Sequence, residues 1–115
     1  MSDEIQIQQF LQDFKAKLGI WGIFFRDDRG KNAQALLDLE ISVAFRQQVL
    51  KELEVCDYSE GPIDDFLYGK AAMWVFGKHI KSKEVYIKIT MGTMDARVIC
   101  ISFHIAEHKM KYPYK

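Results

Sequence analysis

Polar side chains that could take part in acid–base chemistry recur at alternate positions in the second half of the chain. Tyr86 and Lys88 alternate with aliphatic residues in one run, Lys78 lies in the run before it, and His104 stands near the end of the run after it. Successive side chains of a β-strand point to opposite faces of the sheet. We therefore predict three antiparallel strands that bury one aliphatic face and present these four side chains on the other.

A face that carries lysine, tyrosine and histidine has the groups that phosphodiester cleavage needs in the absence of a metal ion. A base must remove the proton of the attacking ribose 2′-hydroxyl, cations must offset the charge of the phosphorane, and an acid must protonate the leaving oxygen. Histidine exchanges protons near neutral pH, and a crowded lysine can have its pKa lowered enough to do the same. The pattern alone leaves open the alternative of an ordinary half-exposed sheet face.

The aliphatic pattern also predicts how the last two strands pair. Opposing Ile87 to Ile101 matches apolar residues across the pair and places Tyr86 opposite Ser102. A shift by one residue would place isoleucines opposite Tyr86 and Lys88, so that apolar and polar side chains would share a face of the sheet. We therefore predict the register in which the isoleucines face each other.

The preceding hairpin is predicted to turn through three residues, 81–83. Such a loop pairs Ile80 with Glu84 and places Lys78 opposite Tyr86, on the same face of the sheet. The predicted polar face comprises Phe76, Lys78, Tyr86, Lys88, Thr90, Ser102 and His104. The predicted buried face comprises Val75, Val85, Ile87, Ile89, Ile99, Ile101 and Phe103.

The first half of the chain is predicted to supply the helices that cover the buried face. Apolar residues in 2–18 follow the spacing of one helix face, with Ser2 as N-cap and Gly19 as the closing glycine. A buried strand is predicted at 21–25, and two shorter helices are predicted at 32–39 and 43–53. The acidic segment 55–67 is predicted to form a short strand, a turn and a link into the sheet. Helices layered on one side of an antiparallel sheet give an α+β fold, and the length predicts one domain, 1–115.

The net charge of zero conceals two halves of opposite sign. Residues 1–67 contain 13 acidic and 7 basic residues, whereas residues 68–115 contain 3 acidic and 9 basic residues and all three histidines. A basic half can present a local surface that binds anions. Lysine is also common on the solvated face of a strand, and this alternative stays open.

The remaining composition narrows the class of protein. Cys56 and Cys100 have no C-x-x-C spacing, which favours reduced thiols in a cytoplasmic protein and makes a zinc site improbable. No run of 18 apolar residues is present, and the acidic, polar N-terminus does not resemble a signal peptide. We therefore expect a cytoplasmic protein with no cofactor, no metal and no membrane partner.

A basic and aromatic tail, 106–115, is a candidate surface for single-stranded nucleic acid, because bases stack on aromatic rings while lysines contact phosphates. The alternative is a C-terminal segment whose tyrosines pack along the edge of the sheet. A second basic segment flanks Gly30, where Arg26 could hold a phosphate or solvate a turn. The residues predicted to bind RNA are Arg26, Lys70, His108, Lys111, Tyr112 and Lys115.

Several segments resemble those of the MqsR-family toxins, which belong to bacterial type II toxin–antitoxin pairs and have a RelE-like fold. The strand segments 84–90, EVYIKIT, and 98–104, VICISFH, are similar to the family's V-Y-L-K-L-T strand and its following strand that ends in I-V-S-F. The segments 57–62, DYSEGP, 74–78, WVFGK, and 100–108, CISFHIAEH, resemble one branch of that family. The order of elements is similar over nearly the whole chain, and the motifs over residues 55–115.

This resemblance implies a metal-independent endoribonuclease that cleaves mRNA and is held inactive by a cognate antitoxin. The tyrosine and lysine of the family motif fall on Tyr86 and Lys88. With the shared strand face, this leads us to predict that Lys78 and Lys88 stabilise the phosphorane and that His104 is the acid or base. Tyr86 is predicted to orient the scissile phosphate or to assist proton transfer. The alternative is a non-catalytic interaction domain whose basic face docks an acidic partner.

The chain departs from the family pattern at two positions. Family members can carry a catalytic lysine where this chain has Glu60, and a glutamine where it has Val75. Lys78, Lys70 or His104 could take over these tasks, or the site could have lost its activity. The acidic residues Asp57, Glu60, Asp64 and Asp65 could act as a general base. They lack the paired context of a carboxylate enzyme, and a solvated loop is the better interpretation.

Overall fold

The fold is α+β, as the sequence predicts. The computed structural model describes residues 2–64 and 71–115, in which three α-helices cover one side of a five-stranded, mostly antiparallel sheet. The helices are α1, α2 and α3, at Glu4–Trp21, Lys31–Leu39 and Val43–Lys51. The strands β1 to β5 are Ile23–Phe25, Tyr58–Ile63, Met73–Ile80, Lys83–Thr90 and Val98–Ile105.

The sheet has the strand order β1-β5-β4-β3-β2. β1 runs parallel to β5, and the other neighbouring strands are antiparallel. β4 therefore lies at the centre of the sheet, with β5 and β3 beside it. This order brings residues that are far apart in the sequence onto adjacent strands.

Helix α1 is longer than the sequence predicts at one end and shorter at the other. Asp3 caps it by accepting a hydrogen bond from the Gln6 amide, and the helix continues through Gly19 to Trp21. Gly22 ends it, because its φ of 83° suits glycine and its N–H bonds the Leu18 carbonyl. The predicted strand at 21–25 is consequently reduced to the three residues of β1, and the predicted boundaries were wrong there.

The buried face of α1 packs on the helix-covered side of the sheet. Phe10 stacks on Trp74 with ring centroids 4.5 Å apart and lies 6.2 Å from the Phe76 ring. The residues of α1 that are buried are Ile7, Phe10, Leu11, Phe14 and Leu18, as the helical spacing predicts. Within the described residues no helix combines the length and the apolar character needed to cross a membrane.

The β3–β4 hairpin turns through two residues and not the predicted three. Ile80 pairs with Lys83, and both residues between them, Lys81 and Ser82, have positive φ, at 51° and 71°. Two-residue loops of this kind match the right-handed twist of the flanking strands. The shorter loop places Lys78 opposite Val85, on the face that the helices cover.

The shorter loop also exchanges the faces predicted for two other residues of β3. Phe76 pairs with Ile87 and is fully buried in the core, whereas the sequence analysis placed it on the polar face. Val75 pairs with Lys88 and lies on the opposite side of the sheet from the helices, although it is also fully buried. The predicted face assignment of β3 was therefore wrong throughout.

The β4–β5 register differs from the prediction by two residues. Ile87 pairs with Phe103 and not with Ile101, and Tyr86 pairs with His104. Because a shift by two residues preserves the face of each side chain, Tyr86 and His104 keep their predicted common face. A β-bulge follows, so that the next pair formed is Ile89 with Cys100.

The bulge at Ile101 reverses the faces of the first part of β5. Val98 and Cys100 join the core, whereas the sequence predicts Ile99 there, and Ile99 instead pairs with Thr90. The irregularity is one extra residue in β5, a feature that also increases local twist. It allows β5 to bury Cys100 and still present Ser102 and His104 on the opposite face.

Asn32 of α2 supplies the hydrogen bonds that this bulge requires. Its side-chain N–H groups donate to the carbonyl oxygens of Ile101 at 2.9 Å and Arg26 at 3.0 Å, and its Oδ1 accepts from the Phe103 amide at 2.8 Å. Asn32 is almost fully buried. Backbone groups beside a bulge lose their regular ladder partners, and a buried asparagine side chain satisfies them here.

Candidate functional site

The sheet face without helices contains an open cleft of about 570 Å³. Tyr86, Lys88 and His104, three of the four predicted catalytic residues, line this cleft together. Its other lining residues are Ser59, Glu60, Ser102, Glu107, His108, Lys109, Met110 and Lys111. The strands β2, β4 and β5 thus form its floor and one side, and the segment after β5 forms another side.

One row of directly opposed residues crosses the floor of the cleft. Glu60 on β2 pairs with Val75, Val75 pairs with Lys88, and Lys88 pairs with Ser102 on β5. Val75 is fully buried and contributes no polar group. The row therefore presents a carboxylate, an ammonium and a hydroxyl group in order across the sheet.

A second row contains the aromatic pair. Tyr86 and His104 stack with ring centroids 5.4 Å apart and planes inclined by 17°. The Lys88 Nζ lies 5.9 Å from the centre of the Tyr86 ring. The His104 Nδ1 is 3.0 Å from the carbonyl oxygen of Ile105, so that a neutral imidazole that donates from Nδ1 keeps its lone pair on Nε2.

The environment of Tyr86 keeps its phenol protonated. Partial burial raises the pKa of Tyr86, and the negative charge of Glu60 raises it further. Tyr86 is therefore a neutral hydrogen-bond donor at neutral pH. Glu60 lines the same cleft as the aromatic pair.

Lys78 does not belong to this site. Its Nζ lies 2.8 Å from the Asp57 carboxylate, on the helix-covered face of the sheet. Desolvation lowers the pKa of Lys78, but the hydrogen bond and the charge of Asp57 outweigh that effect and leave the pKa raised. A paired lysine with a raised pKa stabilises the fold and is not placed to contact a substrate in the cleft.

The sequence left open whether the tail after β5 is a surface for nucleic acid or a segment packed along the sheet by its tyrosines, and the structure has features of both. Tyr112 packs directly on Gly77, and its hydroxyl donates to the Glu84 carboxylate at 2.7 Å. Glu84 also accepts the Met110 amide at 3.0 Å. The Tyr114 hydroxyl donates to the Ser2 carbonyl at 2.5 Å. The tyrosines therefore fix the tail to the sheet.

The charge of Glu84 favours this attachment. The hydrogen bond from Tyr112 lowers the pKa of Glu84, and the bond from the Met110 amide lowers it further. An ionised carboxylate is the stronger acceptor for both donors. His108 and Lys111, two of the residues predicted to bind RNA, line the cleft from this segment.

The other residues predicted to bind RNA lie elsewhere. Lys115 has its Nζ 5.1 Å from the centre of the Tyr112 ring. Arg26 follows β1 and forms an ion pair with Asp28 at 2.9 Å, and it does not line the cleft. Lys70 lies outside the described residues. The structure thus brings His108 and Lys111 to the catalytic candidates and leaves Arg26 away from them.

Replacement of Gly77 by alanine should detach the tail from the sheet. A Cβ atom at Gly77 would lie 2.2 Å from the Tyr112 hydroxyl oxygen, so that the tyrosine must move. We expect faster amide hydrogen exchange in 106–115 with little change in the strands. The matched control is Gly19→Ala, because a Cβ atom there meets nothing within 4 Å. Unchanged exchange of the tail in Gly77→Ala would contradict this attachment.

A second, shallower cleft of about 430 Å³ adjoins the first. It lies against the start of α2, and His104 and Glu107 line both clefts. Lys31 of α2 forms an ion pair with Glu107 at 2.7 Å, at the boundary between them. His104 therefore stands where an extended ligand could pass from one cleft to the other.

Comparisons with protein-family models, characterised proteins and solved structures find no significant match. The site must therefore be interpreted from its own chemistry. Among residues 2–64 and 71–115, no three histidine, cysteine or acidic side chains come together as a metal site would require. The polar groups that line the cleft are three lysine ammonium groups, two imidazoles, one neutral phenol, two serine hydroxyls and two carboxylates.

Glu60 lines the cleft from a strand and not from the loop that was predicted for it. The segment that contains it was predicted as a short strand followed by a turn, and Glu60 was assigned to a solvated loop. It instead lies in the middle of β2, whose pairing with β3 contains two irregularities. The aromatic and aliphatic residues at the ends of β2, Tyr58 and Ile63, were the available signal for a longer strand.

Proposed function

We propose that this chain is an MqsR-like, RelE-like toxin that cleaves mRNA without a metal ion. The observation that carries the proposal is the arrangement of Lys88, Tyr86 and His104 in one open cleft beside a basic segment. These are the groups that cleavage by a ribose 2′-hydroxyl needs, and the resemblance to the toxin family favours the same activity. The cleft volume of about 570 Å³ is typical of a site for a small ligand.

The proposed reaction has one displacement at phosphorus. A base removes the proton from the ribose 2′-hydroxyl, and its oxygen bonds to the adjacent phosphorus. The bond from phosphorus to the 5′-oxygen of the next nucleotide then breaks, and an acid protonates that oxygen. The products are a 2′,3′-cyclic phosphate and a 5′-hydroxyl end.

Five residues of the cleft have proposed roles in this reaction. Lys88 offsets the charge that develops on the equatorial oxygens of the phosphorane. Tyr86, a neutral donor, orients the scissile phosphate with its hydroxyl. His104 exchanges a proton with the reacting oxygens. The tail residues His108 and Lys111 attract the phosphates of the neighbouring nucleotides.

A toxin of this class requires a partner that holds it inactive in the cell. We propose that a cognate antitoxin, encoded beside it, binds the protein. Inducible expression of the chain alone should arrest growth, and co-expression of the adjacent open reading frame should restore it. Expression of the Lys88→Met variant should permit growth without the neighbour. Normal growth with the parent protein alone, or arrest that no neighbour relieves, would contradict the proposal.

A non-catalytic interaction domain is the second candidate, and one observation favours it. Glu60 and Val75 occupy positions where related toxins can carry a catalytic lysine and a glutamine, and Val75 is fully buried. A basic cleft without those groups could dock an acidic protein segment and cut nothing. This candidate predicts a tight complex with an acidic partner and intact RNA at any concentration of the purified chain.

A further inference from the structure

Glu60 is a carboxylate at the edge of the proposed reaction cleft. Its side chain is exposed and borders the cleft from β2. Among the residues that the structure describes, no lysine or arginine forms an ion pair with it. An exposed carboxylate without a cationic partner has oxygen lone pairs that are available to accept a proton.

Glu60 and His104 stand on opposite sides of the cleft. Glu60 belongs to β2 and His104 to β5, with β3 and β4 between those two strands. Neighbouring strands are about 4.8 Å apart, so that three spacings separate the two backbones by roughly 14 Å. Lys88 and Tyr86 lie between them, on β4. A phosphate held over Lys88 would therefore have a carboxylate on one side and an imidazole on the other.

An in-line displacement needs its base and acid on opposite sides of the phosphorus atom, because the attacking and leaving oxygens are opposed. We propose, as an extension of the function proposed above, that Glu60 is the general base and His104 the general acid. Glu60 takes the proton of the 2′-hydroxyl as its oxygen bonds to phosphorus. Protonated His104 gives its proton to the 5′-oxygen as the bond from phosphorus to that oxygen breaks.

This assignment fixes the direction of the RNA in the cleft. The nucleotide that supplies the 2′-hydroxyl lies toward β2, and the leaving nucleotide lies toward His104 and the second cleft. The assignment also gives a role to Glu60, which occupies the position where the resemblance would place a lysine. A carboxylate there performs the proton abstraction and leaves charge compensation to Lys88.

A substrate with a sulfur atom in place of the leaving 5′-oxygen distinguishes the two roles, because a thiolate leaves without being protonated. We expect Glu60→Gln and His104→Gln each to lower kcat on ordinary RNA by about 10²–10³-fold, with KM unchanged or lower in Glu60→Gln. On the sulfur substrate His104→Gln should recover most of its loss, whereas Glu60→Gln should recover none.

The matched control is Asp64→Asn, which removes the same charge just beyond β2 at an exposed residue that does not line the cleft. It should cleave both substrates as the parent does. Parent-like or faster cleavage by Glu60→Gln would overturn the assignment, and so would its rescue by the sulfur substrate. If the parent cleaves neither substrate, the proposed nuclease function falls, and the role of Glu60 falls with it.

Discussion

Replacement of Lys88 by methionine is expected to lower the rate of RNA cleavage about 10²–10³-fold, the usual effect of removing one group that stabilises transition-state charge. The Lys88 side chain is half-buried in the centre of the cleft, opposite Ser102 and beside the Tyr86 ring. Methionine keeps an unbranched side chain that is one heavy atom shorter, and it removes the charge. The loss should appear in kcat, because the phosphorane carries more charge at these oxygens than the substrate does.

Lys78→Met is the matched comparison, because sequence analysis placed both lysines on one face and the structure separates them. We expect Lys78→Met to cleave RNA at the parental rate per folded molecule. The variant should unfold more easily by about 1–3 kcal/mol, because the partly buried Asp57 loses a charged hydrogen-bond partner. Equal loss of cleavage in both variants, with the fold intact, would contradict the position of Lys78.

Replacement of Asp27 by alanine is expected to reduce the free energy of unfolding by about 3–5 kcal/mol, because it leaves a buried cation without its partner. The Arg46 guanidinium is 1% exposed and donates to both Asp27 carboxylate oxygens, at 2.8 and 3.0 Å. It also lies 3.6 Å from the centre of the Phe25 ring. The pair therefore joins α3 to the segment after β1, and urea unfolding measures the loss.

A double variant tests the physical reason for that loss. Adding Arg46→Met to Asp27→Ala removes the buried charge, and stability should return by a measurable part of the loss. Asp28→Ala is the control, since its exposed carboxylate interacts with Arg26 at the surface and should change stability by less than about 1 kcal/mol. An Asp27→Ala variant that unfolds at the parental urea concentration would contradict the account.

The parts of the fold that depend on local periodicity could be predicted from the sequence. The alternation of Tyr86 and Lys88 with aliphatic residues identified β4, and the helical spacing identified the buried face of α1. The Ser42 hydroxyl accepts the Phe45 amide and caps α3, as its position before an apolar run indicates. These features depend on neighbours in the sequence.

The predicted strand registers and face assignments were wrong where they depend on contacts between distant residues or on a loop that is one residue shorter than predicted. Lys81 and Ser82 adopt positive φ without glycine or asparagine, so that no turn motif indicated the two-residue loop that moved Lys78. The bulge at Ile101 is satisfied by Asn32, a residue 69 positions away. Period-two alternation cannot indicate a bulge of this kind, because it assumes an uninterrupted strand.

The candidate site was predictable only in part for the same reason. His104 and Tyr86 were placed on a common face because a register error of two residues preserves faces. Glu60 was assigned to a solvated loop, because its position in the cleft depends on the irregular pairing of β2 with β3. The position of the tail depends on Gly77, which leaves the space that Tyr112 fills.

Incubation of the purified chain with a single-stranded RNA in the presence of EDTA tests the central claim most directly, with analysis of the product ends. We expect cleavage that yields 2′,3′-cyclic phosphate and 5′-hydroxyl ends, and we expect Lys88→Met to produce these ends about 10²–10³-fold more slowly. Intact RNA at high protein concentration would contradict it. Products with 3′-hydroxyl and 5′-phosphate ends would also contradict it, because those ends require an attacking water and not the ribose 2′-hydroxyl.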